Sequence, residues 1–171
     1  MTAEPSANNP TERTIQICPA TADDADFIRA LTPRFADAGT PAWREPARMT
    51  TFFLRAVGEI AELVGADAVS PREAVLIATG DDGSPRGFIH LRPDLSELTR
   101  EWQGYVNALA VTQESEGRGV GRALLAAGEE WARGQGFRHL ALDTFGDNAH
   151  ARAVYAHLGF AEETLKLVKA L

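Results

Sequence analysis

The sequence predicts a mixed α/β fold, and three stretches carry that prediction. Residues 105–111 are apolar and rich in β-forming side chains, and glycines at alternate positions within 117–121 then lead into a helical pattern. A second strand pattern at 138–144 leads into a second helical pattern. Upstream, two apolar runs within 74–91 flank a turn rich in Asp and Gly and indicate a β-hairpin. Strand–helix units together with a hairpin predict one sheet with helices packed against it.

The chain begins with a polar tail, a strand and a helix. Residues 1–13 hold little that a core would bury, so we predict a disordered tail. Residues 14–18 alternate between polar and apolar side chains and indicate the first strand. Thr21 then caps a helix whose first turn is acidic, where the helix dipole favours negative charge. Pro33 is expected to kink this helix or to end it.

A loop at 38–46, punctuated by proline and glycine, separates this helix from a second amphipathic helix at 47–64. The charged residues on the second helix exclude a membrane span. The hairpin strands follow at 74–79 and 87–91. We expect a polar, acidic loop at 93–101, the kind of segment that often contacts substrate.

The C-terminal half adds two helices and two strands. The glycine-led helix is expected to stop at 134–136, and the strand at 138–144 follows. Asp147 or Asn148 caps a last helix that stops near Gly159. Alternation at 164–169 predicts a final strand, so the expected order is β-α-α-β-β-β-α-β-α-β.

The composition is that of an ordinary globular protein. The 171 residues suit one domain, expected at 14–171, and 44% of them are apolar. The net charge of −7 argues against a nucleic-acid partner and mildly favours a cationic one. Cys18 is the only cysteine, which excludes an internal disulfide and fits a reducing cytoplasm. Because no apolar run approaches ~20 residues and no signal-peptide pattern is present, we expect no membrane association.

The strand, glycine turn and helix start together predict an anion-binding site. The first N–H groups of a helix lack intrahelical acceptors, and glycines let a phosphate approach the backbone. Two common nucleotide motifs do not fit. A mononucleotide loop ends in Gly-Lys-Ser/Thr, whereas Arg122 and Ala123 follow Gly121 here. A dinucleotide fingerprint, G-x-G-x-x-G, places its last glycine one position later than this run does.

Two motifs instead resemble the GCN5-related N-acetyltransferase (GNAT) family. The run Glu116-Gly-Arg-Gly-Val-Gly121 is similar to the family's acetyl-CoA signature, Arg/Gln-x-x-Gly-x-Gly/Ala. It departs at Glu116, whose carboxylate cannot donate to a diphosphate. The run Asn148-Ala-His-Ala-Arg-Ala-Val-Tyr-Ala-His-Leu-Gly-Phe160 resembles the family's N-x-x-A-x-x-x-Y-x-x-x-G-F block. The resemblance is strong over 86–171. It implies the acyl-CoA N-acyltransferase fold, an α/β fold whose mixed central sheet holds a splayed pair of strands flanked by helices.

The resemblance implies acetyl-CoA as a co-substrate, held in a V between the strands at 105–111 and 138–144. Its pantetheine arm is expected along the end of the first strand and its diphosphate on the amides of the glycine loop. The residues expected to bind it are Leu109, Ala110, Val111, Arg118, Gly119, Val120, Gly121, Arg122, Asn148 and Tyr155. The two arginines have an equally good interpretation as solvated charges at a helix start. In the family, the first two helices wall the acceptor pocket.

Tyr155 is the catalytic residue that the resemblance implies, close to the sulfur, where its hydroxyl would protonate the departing thiolate. A tyrosine packed in the core is the alternative interpretation. Asn148 lies two helical turns earlier and is expected to face the same way. The general base stays open among Asp143, Glu97, Glu101 and a water positioned by Asn107.

The predicted function is acetyl-CoA-dependent transfer of an acetyl group to a primary amine of a small molecule, by direct attack in a ternary complex. Two short stretches loosely resemble aminoglycoside 6′-N-acetyltransferases. A protein or peptide N-acetyltransferase, a non-catalytic acyl-CoA-binding regulatory module and a nucleotide-binding domain are the alternatives. The four histidines lack metal-ligand spacing, so we expect no metal. The last predicted strand has an unprotected edge, which makes a homodimer possible.

Overall fold

The structure is a computed structural model that describes residues 14–169 and 171; the predicted disordered tail, residues 1–13, lies outside the described part. Five strands form one sheet in the order β1-β2-β3-β4-β5. The strands are β1 (Gln16–Pro19), β2 (Ala74–Thr79), β3 (Pro85–Leu95), β4 (Trp102–Val111) and β5 (Leu140–Leu142). The helices are α1 (Ala25–Ala30), α2 (Thr32–Ala36), α3 (Pro46–Gly65), α4 (Val120–Gly134) and α5 (Ala149–His157).

The sheet is mixed, as expected. β1 to β4 pair antiparallel with their neighbours, and β4 and β5 pair parallel. β3 and β4 are both longer than predicted, since Leu95 still pairs with Trp102. The predicted loop at 93–101 is therefore shorter, and it begins only after Leu95. The predicted loop includes Pro93 and Asp94, but cross-strand pairing with Gly104 and Gln103 extends the ladder through them.

β4 and β5 separate soon after they meet. They pair only through Gly104–Val106 and Leu140–Leu142, and β5 then ends. The edge of β4 from Asn107 to Val111 therefore has no strand beside it on the β5 side. The splayed pair of strands is confirmed. β5 is shorter than the predicted 138–144, because β4 diverges from it after three paired residues and no ladder of hydrogen bonds continues beyond them.

Each face of the sheet carries its own apolar cluster. On one face, α1 and α3 pack on residues such as Ile77, Phe88 and Ala110. On the other face, α4 packs on Ile89 and Leu91. The helices therefore cover both faces of the sheet and leave the ends of β4 and β5 as an opening between two layers.

The first predicted helix is split into three short pieces. A turn of 3₁₀ helix covers Ala22–Asp24, and α1 and α2 follow. The Thr21 N–H donates to Asp24 Oδ2 at 2.8 Å, which fixes the helix start as expected. Pro33 lies in the first turn of α2. It begins a new helical segment because its missing N–H is tolerated there.

The predicted last strand at 164–169 is wrong. In the described part of the chain, residues 160–169 form neither strand nor helix. Leu165 and Leu167 are 73% and 92% exposed. An alternating pattern shows that a segment suits a strand but not that a partner edge receives it, and β5 is not extended enough to do so.

No helix among residues 14–169 is long and apolar enough to cross a membrane.

Candidate functional site

The free edge of β4 leads directly into the glycine loop. Leu109, Ala110 and Val111 are the last residues of β4, beyond the point where β5 leaves it. Their other edge pairs with β3. The backbone groups that face the V are therefore available to an extended ligand, in the way that an added strand pairs with a sheet edge.

The amides at the start of α4 are open. The N–H groups of Gly119, Val120, Gly121 and Arg122 bond to no backbone carbonyl in the described chain. Gly119 adopts φ 83° and caps the helix in the left-handed region, which favours glycine. Unpaired amides at the positive end of a 15-residue helix form a site for a phosphate group.

The two arginines of this loop face different surfaces. Arg122 lines a groove of about 400 Å³ together with His150 and Val154 on α5. Arg118 lines a separate cavity near the β2–β3 turn, beside Asp82 and Arg86. The Arg118 N–H also donates to Ser115 O at 3.3 Å, so this amide already has an acceptor. The two arginines therefore line different surfaces on either side of the loop.

Glu116, the residue that departs from the family signature, is paired. Its carboxylate forms an ion pair with the Arg34 guanidinium of α2. The pair joins the helical layer on one face of the sheet to the loop that opens α4. The Arg34 Nε is buried and has no hydrogen-bond partner among the described residues.

Asn148 is the N-cap of α5, as one of the two predicted alternatives states. Its Oδ1 accepts from the Ala151 N–H at 3.1 Å, while its Nδ2 stays free to donate elsewhere. Gly39, in the loop after α2, lies against the same backbone. A Cβ built on Gly39 would lie 2.7 Å from the Asn148 nitrogen. The loop before α3 is therefore fitted to the start of α5.

Tyr155 lies on α5, half-buried against the apolar cluster under α4. Its ring meets Phe160 edge-on, with centroids 5.8 Å apart. Burial raises the pKa of the Tyr155 hydroxyl above its ordinary value. A neutral phenol keeps its proton at physiological pH, which suits a proton donor. The same half-buried position also suits a tyrosine packed in the core.

A network of polar side chains links β3 to β4. Asn107 occupies a β-bulge, because His90 pairs with Ala108 while Leu91 pairs with Val106. The Asn107 Nδ2 lies 3.0 Å from His90 Nδ1, and Arg92 Nε donates to Asn107 Oδ1 at 3.2 Å. Since an amide nitrogen only donates, His90 Nδ1 is the acceptor and Nε2 carries the proton. The orientation of the Asn107 amide is therefore fixed.

His90 is 4% exposed, and its Nε2 lies 3.5 Å from Glu73 Oε2. Burial lowers the pKa of the imidazole, although the Glu73 carboxylate opposes this effect. We take the neutral ring as the form present at neutral pH, because desolvation is the larger cause.

Asp143 is the candidate base that lies at the V. It follows β5, and the Tyr105 hydroxyl of β4 donates to its Oδ2 at 2.9 Å. Burial first, and this carboxylate second, raise the pKa of Tyr105. Glu101 lies six residues before Asn107, and Glu97 is farther still. At ~3.3 Å per strand residue, Glu101 is ~20 Å from the bulge along β4.

The wall that the first helices present to the V is aromatic. Phe53 of α3 meets Phe145 edge-on at 6.2 Å and stacks on Phe35 at 6.0 Å. Phe53 is buried, whereas Phe52 is half exposed. Phe53 therefore belongs to the core, whereas Phe52 presents about half of its surface to solvent.

Sequence reasoning missed the Arg34–Glu116 pair and the Tyr105–Asp143 bond, since both join distant segments. A polar residue inside an apolar strand, Asn107, was the one local sign of the bulge. Within the described residues, no cluster of three or more His, Cys, Asp or Glu side chains is arranged to hold a metal ion.

Comparison with known proteins agrees with this geometry. The sequence profile of the acetyltransferase (GNAT) family matches residues 32–160. An aminoglycoside N(6′)-acetyltransferase type 1 of Klebsiella aerogenes is 36% identical over 106 residues, which cover 61% of this chain and 69% of that protein. Its counterpart in Stenotrophomonas maltophilia is 39% identical over 98 residues, which cover 56% of this chain and 63% of that protein. A mycothiol acetyltransferase of Clavibacter sepedonicus is 34% identical over 83% of this chain but only 41% of its own length.

Solved structures share the fold. A putative acetyl transferase from Pyrococcus furiosus superposes with a TM-score of 0.68 at 16% identity, covering 92% of this chain and all of that one. The aminoglycoside N-acetyltransferase AAC(6′)-Iy in complex with CoA gives 0.67 at 21% identity, covering 96% of this chain and 98% of that one. The profile match spans three quarters of the sequence and includes the glycine loop, the splayed strands and α5. The chain belongs to the acetyltransferase (GNAT) family and uses acetyl-CoA as its co-substrate.

Proposed function

We propose that this protein transfers an acetyl group from acetyl-CoA to a primary amine of a small molecule, by direct attack in a ternary complex. The observation that carries the proposal is the early separation of β4 from β5, which leaves Asn107–Val111 as a free edge running into the open amides of α4. A ligand with an extended arm would pair with the free edge of β4, and an anionic group at the end of that arm would bind the open amides of α4.

The residues proposed to hold the co-substrate are those at the end of β4 and in the glycine loop. Backbone groups of Leu109, Ala110 and Val111 would pair with the arm, and the amides of Gly119 to Arg122 would bind the diphosphate. Arg122 from α4 and the Asn148 amide nitrogen from α5 would add further donors. Acetyl-CoA itself supplies an activated acetyl group as a thioester.

The acceptor amine must lose its proton before it attacks, since an alkyl ammonium has no lone pair and its pKa is about 10.4. We propose that Asp143, or a water between it and the amine, takes that proton. The Tyr105 hydroxyl holds Asp143 in place. Tyr155 would then give its proton to the departing thiolate. Holding amine and thioester together supplies a larger share of the rate enhancement than either proton transfer.

The acceptor class is inferred from the relatives. Two of them are named as aminoglycoside N(6′)-acetyltransferases, and they are more than 30% identical to this chain. An aminoglycoside-like amine is cationic, and this chain carries a net charge of −7. A protein or peptide amino terminus is the rival acceptor.

A mass-spectrometric screen tests the proposal. The protein is incubated with acetyl-CoA and a panel of aminoglycosides, simple amines and peptides, and each acceptor is examined for the mass of one added acetyl group. We expect acetylation of a small amine together with matching thiol release. Acetylation of peptides alone would show that the acceptor is a protein or peptide amino terminus and not a small-molecule amine. CoA binding without turnover of any acceptor would favour the non-catalytic acyl-CoA-binding module.

We further propose that residues 14–171 form a single N-acetyltransferase domain that acts in the cytoplasm without nucleic acid. The leucines of the segment at 164–169 are exposed in the monomer, and we propose that they contact a second copy of the chain in a homodimer. Light scattering of the full chain, compared with a variant in which Leu165 and Leu167 are replaced by Ser, tests the dimer.

A further inference from the structure

The ion pair between Arg34 and Glu116 changes the net charge beside the glycine loop, residues 117–121. Glu116 directly precedes the loop, and its side chain is 54% exposed. Glu116 lies three residues before Gly119, the first of the open amides that would receive a diphosphate. Like charges repel, so an unpaired Glu116 would weaken binding of any anion there.

Arg34 is held where it can cancel this charge. It comes from α2, a different layer from the loop, and its side chain is only 29% exposed. A long-range pair of this kind differs from the i,i+3 and i,i+4 pairs on the surface of the helices, such as Arg133 with Glu129. Its partly buried position shields it from screening by salt.

Arg34 also keeps an unused donor. Its Nε is buried and meets no acceptor in the described part of the chain. A buried donor without an acceptor costs free energy. A guanidinium has five N–H donors, and contact with one carboxylate leaves several free.

We propose that Arg34 is a positioning residue for the diphosphate of acetyl-CoA: it neutralises Glu116 and thereby makes the glycine loop attractive to an anion. The inference rests on the proposed diphosphate site at Gly119 to Arg122. Arg34 acts through Glu116, so its effect depends on the presence of that carboxylate and on the presence of a diphosphate in the ligand.

The test is a double-mutant cycle with three ligands. Dissociation constants of CoA, dephospho-CoA and pantetheine are measured by calorimetry for the wild type, Arg34→Gln, Glu116→Gln and the double variant. We expect Arg34→Gln to bind CoA and dephospho-CoA about tenfold more weakly, a change equivalent to 1.4 kcal/mol. Pantetheine has no diphosphate, and its affinity should change by less than about twofold under the same Coulomb argument.

Rescue separates an electrostatic role from a merely structural one. The double variant should regain the CoA affinity of the wild type within about threefold, because no carboxylate remains to be neutralised. Glu116→Gln alone should bind CoA as tightly as the wild type or more tightly, and Arg34→Lys should retain most of the affinity. Arg133→Gln is the matched control, since it removes the same charge from α4 about 20 Å from the loop.

Four results would overturn the proposal. These are unchanged CoA affinity in Arg34→Gln, no rescue in the double variant, an equal loss for pantetheine, and a loss for CoA that is absent for dephospho-CoA. If the wild type itself binds pantetheine and CoA equally, the diphosphate site fails independently of Arg34.

Discussion

Replacing Gly39 by alanine probes the contact between the loop after α2 and the start of α5. Gly39 has φ +77°, and its built Cβ would lie 2.7 Å from the Asn148 nitrogen and 2.9 Å from the Asp147 carbonyl carbon. The left-handed conformation costs an alanine about 1–2 kcal/mol. Forcing a methyl group against backbone adds about 1–3 kcal/mol. We therefore expect Gly39→Ala to lower the free energy of unfolding by about 2–5 kcal/mol.

Gly83→Ala is the matched control. Gly83 has φ +73°, but its Cβ would meet nothing within 4 Å, so only the conformational cost of about 1–2 kcal/mol applies. Urea denaturation followed by circular dichroism measures both variants. At about 2–4 °C per kcal/mol, Gly39→Ala should also lower Tm by roughly 4–20 °C. Equal losses in the two variants would refute the claim that the α5 backbone closes against Gly39.

Three further predictions follow from the structure. Tyr155→Phe should slow the acetyl-transfer step at least tenfold, as expected for loss of a general acid, with an unchanged CoA dissociation constant; single-turnover kinetics measures this, and a decrease of only a few-fold would leave Tyr155 as a core residue. Gly58→Ala should raise the free energy of unfolding by up to about 1 kcal/mol, because Gly58 lies inside α3 and its Cβ would meet nothing within 4 Å; a destabilised variant in urea denaturation would contradict the open space. His90 is buried with a lowered pKa, so the folded state favours the neutral ring; its contribution to stability is present above the unfolded pKa of about 6.5 and is lost as pH falls below it, with a slope of at most about 1.4 kcal/mol per pH unit. Urea denaturation at several pH values measures this slope, and His90→Gln should flatten it. A wild type that gains stability on acidification would show that the Glu73 carboxylate dominates the pKa of His90.

Much of the fold was predictable because its signals are local. A pattern within a few residues predicts each of three elements: the strand at 105–111, the glycine turn before α4 and the capping residue Asn148. The long helix at 47–64 was predicted to within one residue at each end, since its apolar face repeats over five turns.

The remainder depends on partners that a local pattern does not reveal. The segment at 164–169 alternates as a strand does, yet no neighbouring edge receives it. The candidate site likewise depends on contacts between residues that are far apart in the sequence. Asp143 accepts a hydrogen bond from the Tyr105 hydroxyl of β4, and Glu116, which departs from the family signature, pairs with Arg34 of α2. Charges on separate elements meet only through the packing of the chain.

The short pairing of β4 with β5 makes this sheet incomplete without its ligand. Between Asn107 and Val111, only the alternate residues of β4 whose backbone groups point away from β3 offer donors and acceptors, at an edge where another polypeptide would serve as well as a pantetheine arm. Acetyl-CoA would thus act as the neighbour that the strand lacks, so that binding the substrate and protecting the protein from self-association become one event. Preparations kept with CoA should accordingly stay monodisperse longer than those stripped of it.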